Sequence, residues 1–353
     1  MSSMRRDSEL SVRPAGPPPI VPPVICPIAT LRTTLPACAG RHVHVVGDVI
    51  VDTWTICTLL GTMTKRAALS VQTTGQTRFV GGAGIVAKHL RAAGARVTLT
   101  TLLGDDALGA FARRDLEYAE IDLRAVTRTP TPEKERFDVM ETGPALQVER
   151  WAQAPIDDRA VTKLAQQIAE TRADIVVFSD FRHGLFSKAT IPTLRDAIPV
   201  DTMRVADSQL SSRWGMILDF QDFDLITPNE REARFALADP DLDGEALARA
   251  LYRRAGCRSL ILTMGARGAL ALDREATLIA VPALAETVVD PVGAGDALLA
   301  YATLGLMVSG DVGVAAWLGS IAAALACEHV GNIPVTPADI DAKLESVEAA
   351  GRG

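Results

Sequence analysis

From residue 42 onward, short apolar runs alternate with amphipathic stretches of helical length, and this alternation leaves few architectures open to the chain. The first run, His42-Val43-His44-Val45-Val46, ends at Gly47-Asp48, as a buried strand does at its carboxyl end. Further apolar runs occupy residues 97–103, 174–179, 204–207, 224–227 and 259–263. Helical patterns occupy residues 84–93, 107–118, 158–171, 188–197, 230–237 and 245–255, and resume from residue 296. This order predicts an α/β fold with a mostly parallel sheet and helices on both faces.

Two segments, residues 53–80 and 124–150, do not follow the alternation. They lack helical periodicity, are rich in Thr, Val and Arg, and contain turn residues such as Glu141-Thr142-Gly143-Pro144. We expect short strands that form a small antiparallel sheet beside the main one. Because open α/β sheets bind ligands at the carboxyl ends of their strands, this small sheet would act as a lid over that edge.

The two ends of the chain differ from the middle. The first 40 residues hold eight of the 20 prolines. Proline fixes φ and removes a hydrogen-bond donor, so we expect a disordered, Pro-rich tail over residues 1–40 without helix or central strand. The prolines interrupt every apolar run, and we therefore expect no secretory signal. One domain is expected over residues 41–345, followed by a flexible C-terminus at 346–353.

Composition argues against several classes of protein. The 353 residues carry 36 basic and 43 acidic side chains, a net charge of −7 that disfavours a broad nucleic-acid-binding surface. The longest apolar stretch, residues 297–308, is 12 residues long, whereas a membrane-spanning helix needs about 20. The five cysteines are scattered without a CxxC pair, which disfavours a disulfide framework or a zinc site. We expect a cytoplasmic protein with reduced thiols.

The strongest motif is Val289-Asp290-Pro291-Val292-Gly293-Ala294-Gly295-Asp296, directly before the apolar run. Its glycines leave the backbone N–H groups at a helix start unobstructed, and the helix dipole favours an anion there. Asp296 could take a proton from a hydroxyl nucleophile, while the N–H groups of Gly293, Ala294 and Gly295 hold phosphoryl oxygens. The alternative is a glycine turn with an Asp cap and no function.

Two further motifs follow predicted strands. Asn229 and Glu232 open the helix after residues 224–227; they suit helix capping, and equally a site for Mg²⁺ and phosphate. Thr263, Gly265 and Gly268 follow residues 259–263, where glycines allow a nucleotide to approach the backbone closely, unless they only form a tight hairpin.

A fourth motif lies near the first strand. Asp52 could accept hydrogen bonds from sugar hydroxyls beside Gly81 and Gly82, or could be an ordinary strand-end acid. Residues 82–87 also match GxGxxA, the dinucleotide fingerprint. They do not follow the first strand, and the next strand lacks the expected acid about 20 residues on, so we do not expect a dehydrogenase.

In this combination and order, the motifs resemble the ribokinase/PfkB family of carbohydrate kinases over about residues 42–345. The resemblance implies an αβα sandwich with a mostly parallel sheet and a β-sheet lid, and phosphate transfer from ATP to a sugar hydroxyl. It implies Asp296 as general base with the amides of residues 293–295 as anion hole. Asn229 and Glu232 would organise Mg²⁺ and ATP, with Glu232 acting through water.

The resemblance also implies nucleotide contacts near Thr263, Gly265, Gly268 and Asn332, and a monovalent cation such as K⁺ near Asp290. Asp52 and the Gly81-Gly82 turn would bind the acceptor sugar.

Within the family, the chain is similar to the heptose-phosphate kinases that form half of a bifunctional enzyme. Shared stretches are Val45-Val46-Gly47-Asp48, Ser179-Asp180-Phe181 and Leu225-Ile226-Thr227-Pro228-Asn229. Lys134 and Arg136 stand where those kinases have Lys-x-Arg beside the lid. The similarity implies a heptose 7-phosphate-like acceptor whose phosphate meets Lys134 or Arg136. The sequence ends at Gly353, and we expect no nucleotidyltransferase half to follow.

Three departures from those kinases concern the acceptor. Ile85 replaces an Asn, residues 64–70 replace a Pro-rich segment, and Asp207-Ser208-Gln209 replaces Asp-Pro-Lys. A missing polar contact can change substrate discrimination by powers of ten. Two alternatives therefore stay open: a kinase of another sugar or a nucleoside, and a non-catalytic regulatory relative that binds sugar or nucleotide. The predicted partners are the acceptor, ATP and a second copy bound through the lid edge, not nucleic acid or membrane.

Overall fold

The computed structural model describes residues 26–62, 69–209 and 217–349. Its helices are α1 (Ile28–Ala37), α2 (Ala83–Ala92), α3 (Ala107–Tyr118), α4 (Asp158–Glu170), α5 (Thr190–Asp196), α6 (Glu230–Leu237), α7 (Gly244–Ala255), α8 (Ala294–Ser309), α9 (Val312–Cys327) and α10 (Pro337–Ala349). Its strands are β1 (His42–Gly47), β2 (Val49–Thr62), β3 (Leu69–Gly82), β4 (Arg96–Leu103), β5 (Asp122–Thr127), β6 (Glu133–Val139), β7 (Gly143–Arg150), β8 (Ile175–Asp180), β9 (Met203–Ser208), β10 (Leu225–Ile226), β11 (Ser259–Thr263), β12 (Ala269–Leu272) and β13 (Leu278–Val281).

Nine of these strands form one large sheet, in the order β13-β12-β11-β10-β9-β8-β1-β4-β5. Only the β11–β12 and β12–β13 pairs are antiparallel. The inner strands are buried on both faces, so they read as continuous apolar runs in the sequence. The predicted α/β fold with a mostly parallel sheet is confirmed, while β5 and the β12–β13 hairpin are additions at its edges.

Helices cover both faces of this sheet. One apolar core joins the sheet to α1, α2, α3, α8, α9 and α10, and the other joins it to α4, α5, α6 and α7. The helices α8 and α9 are apolar on nearly every side because they lie inside the first core, where Tyr301 and Trp317 are buried. No helix in the described part of the chain is long and apolar enough to cross a membrane.

The remaining four strands form a second, smaller sheet in the order β3-β2-β6-β7, the sheet predicted to act as a lid and named the lid below. The small sheet is confirmed, with two corrections. The strands β2 and β3 form one antiparallel hairpin of 14 residues each instead of short strands, and β6 joins β2 in parallel. Residues 124–127 belong to the large sheet, because β5 pairs with β4 through its whole length.

The predicted ends of the domain also need correction. Residues 28–37 of the expected tail form α1, which tolerates Pro36 in its last turn and buries Leu31 and Leu35 against the first core. The expected flexible C-terminus is helical up to residue 349, where Val347 is buried in α10. Residues 1–25 of the predicted tail and residues 350–353 lie outside the described residues.

Candidate active site

A cavity of about 340 Å³ lies where the carboxyl ends of the central strands meet the ends of the lid strands that are nearest the large sheet. The hairpin β2–β3 leaves the large sheet directly after β1 and returns at α2, so its first and last residues border this edge. Most of the predicted site residues line the cavity together: Asp52, Gly82, Lys134, Arg136, Asn229, Glu232, Thr263, Gly293, Gly295, Asp296 and Asn332.

Five predicted residues do not line it. Gly81 packs against Asp52, and Asp290 and Ala294 belong to the glycine motif without lining the cavity. Gly265 and Gly268 flank the short turn between β11 and β12, away from the cavity. Gly268 has a φ of +82°, and an added Cβ would overlap the carbonyl of Val281, so packing alone explains this glycine.

The helix α8 presents its amino end to the cavity. Gly293 precedes it with a φ of +85°, which lets the chain turn sharply into the helix. The first amides of a helix have no acceptor within the helix and carry partial positive charge, so this end suits an anion. Asp296 stands in the first turn. Burial, reinforced by the carboxylates of Asp52 and Glu232 and opposed by the Lys134 ammonium, raises the pKa of Asp296 to about 8.

Two more acids face Asp296 across the cavity. Glu232, at the start of α6, is largely buried, and Asp207 lies at the end of β9. Burial and the neighbouring Glu232 and Asp296 carboxylates raise the pKa of Asp207 well above its usual value, although Thr227 Oγ1 donates a hydrogen bond to it at 3.0 Å. No role was predicted for Asp207 from the sequence. The signal was present, since it is an acid at a strand's carboxyl end like the acids that were singled out.

Asn229 and Glu232 form a capping box. The backbone N–H of Asn229 donates to Glu232 Oε2 at 2.8 Å, and the Glu232 N–H donates to Asn229 Oδ1 at 2.9 Å. Asn229 also bridges Thr263 of the adjacent strand. The box fixes the Glu232 carboxylate at the cavity wall, so capping and ligand binding are compatible roles for one pair of residues.

On the lid side, Asp52 is the centre of a polar cluster. Arg136 donates to Asp52 Oδ1 at 2.6 Å, and Asn332 donates to Asp52 Oδ2 at 3.0 Å. The Arg136 guanidinium lies over the Trp54 ring at 5.3 Å. Lys134 reaches Glu149 only at 4.0 Å, which leaves its ammonium available to the cavity. Asn332, expected near the nucleotide, therefore contacts the acceptor-side acid.

The loop after β8 forms another wall through Phe181. Asp48, directly after β1, accepts backbone hydrogen bonds from Phe181, His183 and Leu185 at 3.1–3.3 Å. Burial raises the pKa of Asp48, and these three N–H groups act against that rise. The Gly47-Asp48 pair was noted in the sequence, but its contact with a loop more than 130 residues away was not.

Three acids in and near the cavity fit the cations of phosphoryl transfer in different ways. No three acids, histidines or cysteines among the described residues are placed to hold a metal directly. Asp207 and Glu232 are two carboxylates on the cavity wall, which fits Mg²⁺ held through water and phosphate oxygens, its usual mode in kinases. Asp290 accepts a hydrogen bond from the Val292 N–H on Oδ1, but its buried Oδ2 has no hydrogen-bond partner. An unpaired buried carboxylate oxygen fits a monovalent cation.

The three departures noted in the sequence fall in different places. Ile85 is buried within α2 and does not line the cavity. Gln209 lines it directly, beside Asp207. Residues 64–68 lie outside the described residues.

The family of the chain follows from comparison with known proteins. Residues 41–339 match the model of the pfkB family carbohydrate kinases, and the chain belongs to that family. It is therefore a carbohydrate kinase, of a family that uses ATP.

Among curated proteins, the chain is similar to the bifunctional protein HldE of Rhodopseudomonas palustris strain HaA2, with 29% identity over 323 residues. HldE of Caulobacter vibrioides is 30% identical over 322 residues. Each match covers 88% of this chain and 65% of the relative, so the chain spans less than two thirds of the length of these relatives.

Solved structures show the same fold. Phosphofructokinase-2 from Escherichia coli is 18% identical and was solved with potassium (TM-score 0.72) and with fructose-6-phosphate (TM-score 0.71). Each of these matches covers 88% of this chain and 99% of the other. Ribokinase from Arabidopsis thaliana with ribose and ATP has a TM-score of 0.69 at 17% identity, covering 87% and 99%.

Proposed function

We propose that the protein transfers the γ-phosphate of ATP to a hydroxyl of a sugar phosphate resembling heptose 7-phosphate. The observation that carries the proposal is the shared cavity: Asp296 at the amino end of α8 faces the same 340 Å³ space as Lys134 and Arg136. The Asp296 carboxylate suits activation of the acceptor hydroxyl, and the Lys134 and Arg136 cations suit a phosphate already present on the acceptor.

Asp296 acts as the general base. It accepts the proton of the acceptor hydroxyl, whose oxygen forms a bond to the γ-phosphorus as the bond to the ADP oxygen breaks. The amides of Gly293 and Gly295 and the amino end of α8 stabilise the charge that develops on the transferred oxygens. The raised pKa of Asp296 makes its carboxylate a stronger base than an exposed aspartate.

Mg²⁺, when bound with ATP, neutralises charge on the phosphate oxygens. Glu232 and Asp207 would hold it through water, and Asp290 would hold a monovalent cation such as K⁺ behind the glycine loop. Asn229 and Thr263 fix the position of Glu232, while Gly265 and Gly268 remain predicted nucleotide contacts that lie outside the cavity wall.

The acceptor assignment rests on charge. The cavity wall carries the acids Asp52, Asp207, Glu232 and Asp296, and the cations Lys134 and Arg136 lie on one side of it. Arg136 is partly neutralised by Asp52, so Lys134 is the cation with the most charge available for an acceptor phosphate. The similarity to HldE supports the same class of acceptor.

The test is ADP release from Mg·ATP with heptose 7-phosphate, hexose phosphates, free sugars and nucleosides. We expect turnover on a sugar phosphate, and we expect Lys134→Met to raise the KM of that acceptor by roughly 10- to 100-fold, as loss of a charged hydrogen bond would. The KM of ATP serves as the internal control and should stay within about 2-fold. Equal turnover of phosphorylated and free sugars in both proteins would contradict the assignment.

A second candidate acceptor, a free sugar or nucleoside, is favoured by Gln209 at the cavity wall, where heptose-phosphate kinases have Lys. Turnover restricted to an unphosphorylated compound would establish it. Binding of sugar and ATP without ADP release would instead indicate a non-catalytic regulatory relative.

We also infer a cytoplasmic location and a homodimer joined through the lids. ATP is the phosphate donor, and the five cysteines are free thiols, which suits a reducing compartment. The outer part of the lid exposes Leu60, Leu69 and Leu146, each at least 60% accessible. Such apolar side chains on one small sheet favour burial against a second copy. Retention of the chain in a membrane or periplasmic fraction would contradict the location.

A further inference from the structure

Both oxygens of the Asp52 carboxylate are engaged by side chains of this chain. Arg136 donates to Oδ1 at 2.6 Å, and the Asn332 amide donates to Oδ2 at 3.0 Å. Asp52 is only 7% exposed. A carboxylate so enclosed needs such donors, and their directions decide which of its lone pairs remain for a ligand.

Asn332 is itself held in place from three sides. It follows Gly331, which has a φ of +86° and lies too close to the Phe79 ring for a Cβ, at 2.9 Å. Its Nδ2 also lies 3.5 Å from the Val80 carbonyl, at the end of β3. Both nearby acceptors, Asp52 Oδ2 and the Val80 carbonyl, lie on the Nδ2 side of the amide. Only the orientation with Oδ1 turned toward Gly293 lets the amide donate to them.

Gly81 completes this arrangement. A Cβ added at Gly81 would overlap Asp52 Oδ2 and would lie 2.9 Å from Asn332 Nδ2. The absence of a side chain at residue 81 is thus what allows the Asp52–Asn332 hydrogen bond to form.

We infer that Asn332 is a positioning residue for the acceptor: it fixes the Asp52 carboxylate toward the acceptor hydroxyls, and it is not a nucleotide contact. The inference rests on the proposed function in so far as Asp52 binds the acceptor. Without the amide, Asp52 loses its donor on Oδ2 and turns toward Arg136. The acceptor then loses a fixed hydrogen-bonding partner, while the hydrogen bonds that hold Asn229 and Glu232 on the nucleotide side are retained.

The test compares Asn332→Ala with wild type in two separate measurements. The KM of whichever acceptor wild type uses should rise roughly 10- to 100-fold, the range for a lost hydrogen bond to a charged group, with kcat within about 3-fold. The Kd of ATP, titrated without acceptor, should stay within about 2-fold. A raised Kd for ATP with an unchanged acceptor KM would overturn the inference and make Asn332 a nucleotide contact.

Gly81→Ala provides a second route to the same contact, because it disturbs Asp52 and Asn332 without removing either side chain. It should raise the acceptor KM in the same way. Gly75→Ala is the matched control in the same strand, since a Cβ there meets nothing within 4 Å. A normal acceptor KM in Gly81→Ala would count against the inference even if Asn332→Ala failed to fold.

Failure of the inference and failure of the proposed function give different results. If wild type uses only free sugars, the phosphorylated acceptor class is wrong, and the Asn332 comparison is made on that free sugar. If wild type binds a sugar without turnover, calorimetric Kd values for the sugar replace KM. In each case an unchanged acceptor affinity in Asn332→Ala refutes the positioning role.

Discussion

Folding places the Asp296 carboxyl group in surroundings that disfavour its ionised form. It is buried in the first turn of α8 and faces the Asp52 and Glu232 carboxylates, and these causes together raise its pKa to about 8. Perturbed acids of this kind concentrate at functional sites, because a base with a pKa near the working pH is the more effective catalyst. The same burial lowers the free energy of unfolding, a cost in stability that is common at functional sites.

This cost predicts a pH-dependent effect of Asp296→Asn on stability. Between pH 3.8, the usual pKa of the carboxyl, and about 8, the folded protein keeps the proton that the unfolded chain releases. Wild-type stability therefore falls as the pH rises through this interval, and this contribution is absent in the amide variant. We expect Asp296→Asn to match the wild-type melting temperature near pH 4 and to exceed it by at least about 2 °C near pH 8.

Thermal unfolding at the two pH values measures this difference. Other buried acids such as Asp207 contribute a slope of the same sign to both proteins. Because the Asp296 carboxylate itself raises the pKa of Asp207, the difference between the two proteins reports on Asp296 together with its coupling to Asp207. A melting-temperature difference that does not change with pH would contradict the raised pKa.

At the scale of elements, the lid is where sequence and structure differ most. The sequence predicts short strands because turn residues occur within these segments and no helical periodicity is present, whereas β2 and β3 pair over 14 residues each with bulges in the register. Bulges let two strands stay paired where a regular ladder would end. The outer end of this hairpin is too far from the core to be covered by it, and so it exposes leucines.

We therefore expect the exposed lid to mediate dimerisation. The double variant Leu60→Lys with Leu146→Lys should convert a dimer into a monomer, because burying two ammonium groups in the interface would be unfavourable. Val200→Lys is the matched control, an exposed apolar residue outside the lid. Sedimentation velocity distinguishes the two states. A monomeric wild type, or a double variant that remains dimeric, would contradict the lid interface.

The parts of the fold that were predictable are those encoded locally. Buried parallel strands are apolar runs and their helices carry caps, so the main sheet can be read directly from the sequence. The helix α1 was missed because the prolines around it dominate the local pattern. Its stability comes from the burial of Leu31 and Leu35 against the first core, which is built from distant parts of the chain. At such positions, tertiary contacts determine the secondary structure more than local helix propensity does.

The candidate site likewise contains parts that are encoded locally in the sequence and parts that depend on tertiary contacts. Asp296 directly follows its glycine loop, and Asn229 and Glu232 lie one helical turn apart. Each of these two motifs can therefore be recognised from its spacing in the sequence. The Asn332–Asp52 contact joins residues 280 positions apart, and the Asp48 contacts with the loop after β8 span more than 130. No local spacing specifies such pairs, since only the closed fold brings them together.

At the scale of the whole molecule, the proposed function assigns each substrate its own side of the cavity. Asp207 of the large sheet and the amino ends of α6 and α8 would bind phosphate and metal, and the lid residues Asp52, Lys134 and Arg136 would bind the acceptor. Asp296 stands between the two sets, where an acceptor hydroxyl and a γ-phosphate would meet. Asp296 is therefore the residue on which the proposed reaction depends most.

The most direct test is the rate of ADP release by Asp296→Asn at saturating Mg·ATP and acceptor, with ATP affinity measured on the same protein. Loss of a general base typically costs about 10²- to 10⁴-fold in rate. We predict a fall of kcat in that range with an ATP Kd within about 2-fold of wild type. A kcat within 3-fold of wild type would show that the proton goes elsewhere and would contradict the mechanism.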